Sequence, residues 1–140
     1  MTQQEKNRWI AFGNQTNPFD LHNGIEITDV DEGMAVVTVT LRQESLNSWH
    51  TPHGGLLFAA ADVACGVAAA SLRAEQCVTV NAAADFIAVA GACGTLTVTA
   101  RAEHAGRHLC FCRADVHDEQ HRLIARLHST MYYTGALLEQ

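Results

Sequence analysis

His53-Gly54-Gly55-Leu56-Leu57-Phe58-Ala59-Ala60-Ala61-Asp62 opens an almost continuously apolar segment that runs on to Leu72. Paired glycines at a helix entrance leave backbone N–H groups unshielded, and the helix dipole makes that end partly positive. Such an end can hold a negative oxygen. Alanine, the best helix former, dominates the residues that follow. Apolar residues fall on every side, which describes a helix enclosed by protein rather than one lying on a surface. Asp62, about two turns in, is the only charged residue between Gly54 and Leu72. An unpaired carboxylate buried there is costly, so it needs a partner, a water or a purpose.

Outward from this helix the period drops to two. Before it, Ile25-Glu26-Ile27 alternates, Asp31-Glu32-Gly33 is a turn, and Val37, Val39 and Leu41 alternate with threonines, which reads as a hairpin with one buried face. After it, Val78 and Val80 flank Thr79; Leu96, Val98 and Ala100 alternate with polar residues; Leu109 and Phe111 follow the Ala105-Gly106 turn. The last strand puts Leu123, Ala125 and Leu127 on one side and Ile124, Arg126 and His128 on the other. Two strands, a long helix and a meander of about four strands predict an α+β fold, a curved antiparallel sheet wrapped around one central helix. Residues 1–140 form a single domain, and residues 1–16 are an N-terminal extension. Within it Thr2 to Phe12 forms a short amphipathic helix with Trp9, Ile10 and Phe12 packed downward, and Asn17-Pro18 marks a turn.

Composition narrows the function. A net charge of −6 with no basic stripe argues against nucleic-acid binding. Five cysteines, an odd number without framework spacing, argue against a disulfide scaffold and point to a reducing, cytoplasmic setting. Met1 to Gly13 is polar and mixed in charge, unlike a signal peptide. Leu56 to Leu72 is short for a membrane span and carries Asp62, so no membrane partner is expected.

A carboxylate plus an oxyanion donor is the minimum equipment for acyl transfer. Eight residues of helix separate Gly54 from Asp62, about 12 Å along the axis. One chain cannot easily bring both to a single carbonyl, whereas two antiparallel copies related by a twofold axis can. The same residues also have a plain structural explanation, because Gly-Gly before a helix is common and a lone Asp can satisfy neighbouring backbone. Other chemistries fit less well. His50 and His53, and His117 and His121, lie in loops without further ligands at metal spacing, so no metal and no cofactor is expected. Cys65, one turn after Asp62, has no histidine nearby and suits packing, as do Cys110 and Cys112 on one side of a strand. There is no Gly-x-Ser-x-Gly elbow and no phosphate-binding glycine loop. Trp49 and Phe58 flank the helix entrance, where they would line an acyl pocket.

His53-Gly54-Gly55, with Asp62 nine residues after the histidine in a helix of small residues, resembles the hotdog-fold acyl-CoA thioesterases. Within them it looks most like the phenylacetate-degradation (PaaI-like) group. The likeness extends from Asn17-Pro18-Phe19 through Gly24-Ile25-Glu26, Asp31-Glu32-Gly33 and Asn47 to the threonine-rich strand near Leu96 and the end of the chain. It implies that Asp62 acts on the thioester as base or nucleophile and that the Gly54 N–H polarises the carbonyl. It further implies that Asn47 positions water or the carbonyl, that His53 organises the loop, and that Thr79 lies near the attacking water. Gly55 would border the substrate, coenzyme A would be part of that substrate, and the assembly would be a homodimer or homotetramer. The chain departs from the group's pattern after Asp85-Phe86. Relatives there often have a basic residue and a proline, and this chain has Ile87-Ala88-Val89-Ala90-Gly91. Arg73, Arg101 and Arg107 are then the candidates for the coenzyme phosphates. Two rival readings are an acyl-CoA-binding hotdog protein without turnover and a hotdog dehydratase. A buried acid serves the first poorly, and His53, placed before the helix, serves the second poorly.

Overall fold

The computed structural model describes residues 1–138. Helix α1 (Gln3–Thr16) and the short α2 (Pro18–Asn23) precede a hairpin of β1 (Ile25–Asp31) and β2 (Met34–Thr40). Helix α3 (Gly54–Ser71) is followed by β3 (Glu75–Phe86), β4 (Thr95–Ala105), β5 (Leu109–His117) and β6 (Leu123–Leu137). The six strands form one antiparallel sheet in the order β1-β2-β4-β5-β6-β3, and α3 lies against every one of them. This is the curved sheet around one helix expected of a hotdog fold.

The period-two faces explain the packing. Val37 and Val39 of β2, Leu96, Val98 and Ala100 of β4, and Ala114 and Val116 of β5 turn inward onto Ala60, Ala64, Cys65 and Ala68 of α3. Small side chains on the helix let it sit close to the sheet, which is what an alanine-rich core helix permits. Its apolar length would also suit a membrane span, with a mean hydropathy of 1.6 over Gly54–Ser71, but here the helix is the core of the fold.

Four expectations are corrected. The strand around Val78 and Val80 is twelve residues long and, rather than joining a meander, crosses to the far edge to pair with β6. Asn17-Pro18 is a helix start: Asn17 caps α2, accepting from Asp20 N at 3.3 Å, and Pro18 occupies the first turn. Of the three aromatic and aliphatic residues of the first helix, Trp9 is buried and Ile10 packs on the core, but Phe12 is 53% exposed. In β6, Ile124 and Ala125 are both buried, because a register shift near His117 breaks strict alternation, and the Ile124 carbonyl accepts from Ile87 and Ala88.

Two polar ties hold the helices against the sheet. Asn14 of α1 behaves like a strand residue toward Ile27, accepting from its N–H at 2.8 Å and donating to its carbonyl at 2.9 Å. At the end of α3, the buried Ser71 hydroxyl accepts from Gly33 N at 3.0 Å and lies 2.8 Å from the Asp31 carbonyl. That bond ties the β1–β2 turn to the helix. Gly33 has φ +71, and a Cβ there would come within 3.1 Å of Leu72, so the turn requires glycine. Ser71→Ala leaves the Gly33 N–H unpaired and is expected to cost about 1–3 kcal/mol. Urea denaturation checks this as a lowered midpoint with an unchanged slope.

Candidate active site

The entrance of α3 is built by its loop. Asn47 folds the loop on itself: its Oδ1 accepts from Trp49 N at 2.9 Å and Thr51 N at 3.2 Å, while its Nδ2 lies 3.0 Å from Thr51 Oγ1. His53 is the N-cap, and its Nδ1 accepts from Gly55 N at 2.8 Å. The neutral ring therefore carries its proton on Nε2. The Gly54 N–H, one residue earlier, has no acceptor among the described residues. Phe86 of β3 covers this glycine so closely that a Cβ would meet its ring at 3.3 Å. Asn47, Thr51, Gly54, Leu57, Phe86 and Val89 line a cavity of about 200 Å³.

Two turns along, Asp62 has its partner. Thr79 Oγ1 donates to Asp62 Oδ1 at 2.6 Å, from the edge strand to the helix. Asp62 is half-buried rather than enclosed, because one stripe of α3 is left uncovered. Gly55, Phe58, Ala59, Asp62, Val63 and Gly66 make up much of that stripe, none of them fully buried. This corrects the expectation of a helix surrounded on all sides. The stripe borders β3, whose outer edge pairs with no strand among the described residues, and Val78 and Val80 stand 46% and 56% exposed there.

A second cavity, of about 220 Å³, lies between α1 and Val63, Gly66 and Val67 of α3. Trp9, Ile27, Val67 and Cys77 are among its walls, and Asp20 borders it. Asp20 is 4% exposed, and its Oδ1 has no hydrogen-bond partner among the described residues. Burial alone pushes its carboxyl up to about 6. Nothing in Pro18-Phe19-Asp20-Leu21 singled this residue out, because its burial follows from α2 folding back over the sheet.

The structure thus gathers Asn47, His53, Gly54 and Gly55 at the helix entrance, and Asp62 with Thr79 on the uncovered face. Phe58 lies on that same face, 36% exposed, and Trp49 projects from the loop at 84% exposure. Arg73 and Arg107 are elsewhere, past the far end of α3. The Arg73 guanidinium donates to the Arg107 carbonyl at 2.9 Å and to that of Gly106, and lies 4.3 Å over the Tyr133 ring. Cys65 is wholly buried, with the Cys112 thiol 3.7 Å from its carbonyl.

The family model described as the thioesterase superfamily matches residues 50–125, the stretch from the entrance loop into β6. The chain belongs to the thioesterase superfamily. It is 32% identical over 115 residues to the acyl-coenzyme A thioesterase PaaI of Escherichia coli (strain K12), spanning 82% of this chain and 81% of that protein. The structure of the E. coli PaaI protein from the phenylacetic acid degradation operon superposes with a TM-score of 0.89 at 28% identity, covering 99% of this chain and 100% of that one. A hypothetical thioesterase of Streptococcus pneumoniae TIGR4, solved with coenzyme A, superposes with a TM-score of 0.76 at 26% identity, covering 93% of this chain and 95% of that one. This member of the superfamily therefore carries the fold of thioester hydrolases along its whole described length.

Asp20 gives the protein a measurable pH signature. Its folded-state value of about 6 lies above the ordinary 3.8, so the native protein keeps this proton where the unfolded chain has lost it. The stabilisation is complete below about pH 4 and is lost as pH rises to about 6, and the shift corresponds to roughly 2–3 kcal/mol. Denaturation midpoints of wild type and Asp20→Asn are expected to separate progressively, in favour of the variant, across that window.

Proposed function

We propose that the chain hydrolyses an acyl-coenzyme A thioester in a site shared by two copies of the fold. The observation that carries this is the Asp62–Thr79 pair on the one uncovered face of α3, with the unpaired Gly54 N–H at the same helix's entrance. The two stand about 12 Å apart by helix rise, too far to serve one carbonyl. Antiparallel association of two α3 stripes sets Gly54 of one protomer near Asp62 of its partner. Pairing of the two β3 edges would extend the sheet and cover Val78 and Val80, which removes an exposed edge. The assembly is then a homodimer, or a homotetramer built from two of them.

In this site the carbonyl oxygen of the thioester lies at the Gly54 N–H, where the helix dipole stabilises the charge that develops on it. Asp62 takes the proton of an attacking water, or attacks itself and is released by water. Either course breaks the C–S bond, and coenzyme A leaves as the thiol with the free acid as the other product. Thr79 holds the Asp62 carboxylate in place. His53 and Asn47 shape the entrance loop around the Gly54 N–H, which has no acceptor among the described residues. Likeness to PaaI and the small residues Ala59 and Gly66 on the stripe favour an aromatic acyl group of the phenylacetyl type, or a medium-length acyl chain. Free thiols at all five cysteines suit a cytoplasmic enzyme.

Thiol release from a panel of aryl and aliphatic acyl-CoAs is expected with the wild type. Asp62→Asn should lose at least about two orders of magnitude in turnover while keeping its melting profile. Near-normal hydrolysis by that variant sinks the assignment, and binding without hydrolysis by the wild type would make the protein an acyl-CoA binder. Light scattering at assay concentration should give a dimer or tetramer. An active monomer would contradict the shared site.

A further inference from the structure

Two features of the chain each lack what the other offers. Trp49 stands 84% exposed on the entrance loop, although a tryptophan is ordinarily well buried with its indole N–H paired. The cavity of about 220 Å³ between α1 and α3 has mostly apolar walls, Trp9, Ile27, Val63 and Val67 among them, and Asp20 at its border. Asp20 is buried, and its Oδ1 is unpaired among the described residues. Asp20 N donates to Asn17 Oδ1, and the Asp20 carbonyl accepts from Gly24 N, so only the backbone takes part in the caps of α2. A buried carboxyl without a donor is destabilising, and a group that brings one into the cavity relieves that cost.

Trp49 does not line the cavity of its own chain. Antiparallel association with Gly54 beside Asp62 of the partner decides where the entrance loop goes. Each step back from Gly54 toward Trp49 is a step forward from Asp62 on the partner, toward its Val63, Gly66 and Val67, and these three line the cavity. Val63 and Gly66 also belong to the uncovered stripe. The sizes agree, since a cavity of roughly 150 Å³ holds benzene and one of about 220 Å³ is in proportion to an indole. The loop presents its ring already ordered: Asn47 Oδ1 accepts from Trp49 N, and Asn47 N donates to the Thr51 carbonyl. Docking therefore immobilises little more than one side chain.

We propose that the Trp49 indole of each protomer docks in the cavity between α1 and α3 of its partner and donates its N–H to the Asp20 carboxyl there. The two docked rings lock the antiparallel arrangement, and so hold the Gly54 N–H of one protomer at Asp62 of the other. This rests on the site being shared by two copies of the chain. Trp49 is then a positioning residue, which acts on the reaction by fixing where the partner sits.

The test compares dimer dissociation constants from sedimentation for wild type, Trp49→Ala, Trp49→Phe, Asp20→Asn, Asp20→Leu and the double variant Trp49→Phe/Asp20→Leu, with thiol release measured on the same samples. Trp49→Ala should weaken the dimer at least about 30-fold, as truncation of a buried tryptophan anchor does. Its specific activity should fall at low enzyme concentration and recover as the concentration rises, which a loss of folding would not do. Trp49→Phe keeps a ring without the donor and Asp20→Leu removes the acceptor, so each should weaken the dimer about threefold to tenfold. In the Asp20→Leu background Trp49→Phe should cost nothing further. Asp20→Asn keeps an acceptor and should stay within about threefold of wild type. Acrylamide quenching of Trp49 emission, read as the difference between wild type and Trp49→Phe, should be weak in the dimer and strong in the diluted monomer. A dimer unaffected by Trp49→Ala, or one in which Trp49 stays open to acrylamide, overturns the docking and leaves the shared site standing. Additive losses from Trp49→Phe and Asp20→Leu overturn the bond to Asp20. A wild type that is monomeric at assay concentration overturns the docking and the shared site together. If the dimer forms and no thiol is released from any acyl-CoA, the thioesterase reading fails, and the dissociation constants alone decide on Trp49.

Discussion

The hydrogen bond from Thr79 to Asp62 joins an edge strand of the sheet to the uncovered stripe of the central helix. Asp62 is the one charge on a helix whose remaining surface is apolar, and such a charge is tolerable only where a donor or water reaches it. The donor comes from β3, an edge strand, and the helix stripe beside that strand is open. The carboxylate is therefore paired on one side and accessible on the other. Full enclosure would have made it an inert buried acid, and full exposure would have left it without an apolar setting.

The rest of the molecule sets the position of that helix. Alanines on the inner face of α3 bring it close to the sheet, so its register is decided by packing rather than by long side chains. Asn47 Oδ1 accepts from Trp49 N and His53 Nδ1 accepts from Gly55 N, and the Gly54 N–H has no acceptor among the described residues. Ser71 anchors the opposite end to the β1–β2 turn. Arg73 is engaged with backbone carbonyls and the Tyr133 ring just beyond α3. Its charge thus stabilises a turn junction within the chain.

Helices α1 and α2 lie over β1, on the side of the sheet's other edge from β3. They pack on β1, and a cavity remains between α1 and Val63, Gly66 and Val67 of α3. The two cavities beside α3 differ in character. One lies at the entrance of α3 with Asn47 and Thr51 as its polar side chains, and the other lies under α1 with the buried Asp20 carboxyl at its border.

Much of this was legible from local pattern. Period-two alternation marked β1, β2 and β4, and an unbroken alanine-rich run marked α3. The motif from His53 to Asp62 named the helix entrance and the carboxylate, because both depend on residue types at short range. What sequence could not supply were relations between distant segments. Val78 and Val80 announced a strand, but its place at the sheet edge depends on pairing with β6, over fifty residues away. The helix seemed apolar all round, and only the strand order shows which stripe stays uncovered. Nothing in the residues around Asp20 marks it as buried. Its burial arises where α2 folds back over β1, and no local pattern records that contact. The sequence by itself determined the elements and the chemical groups, since these follow from neighbouring residues. Tertiary structure alone decided which groups face one another, because burial and pairing are properties of contacts between segments.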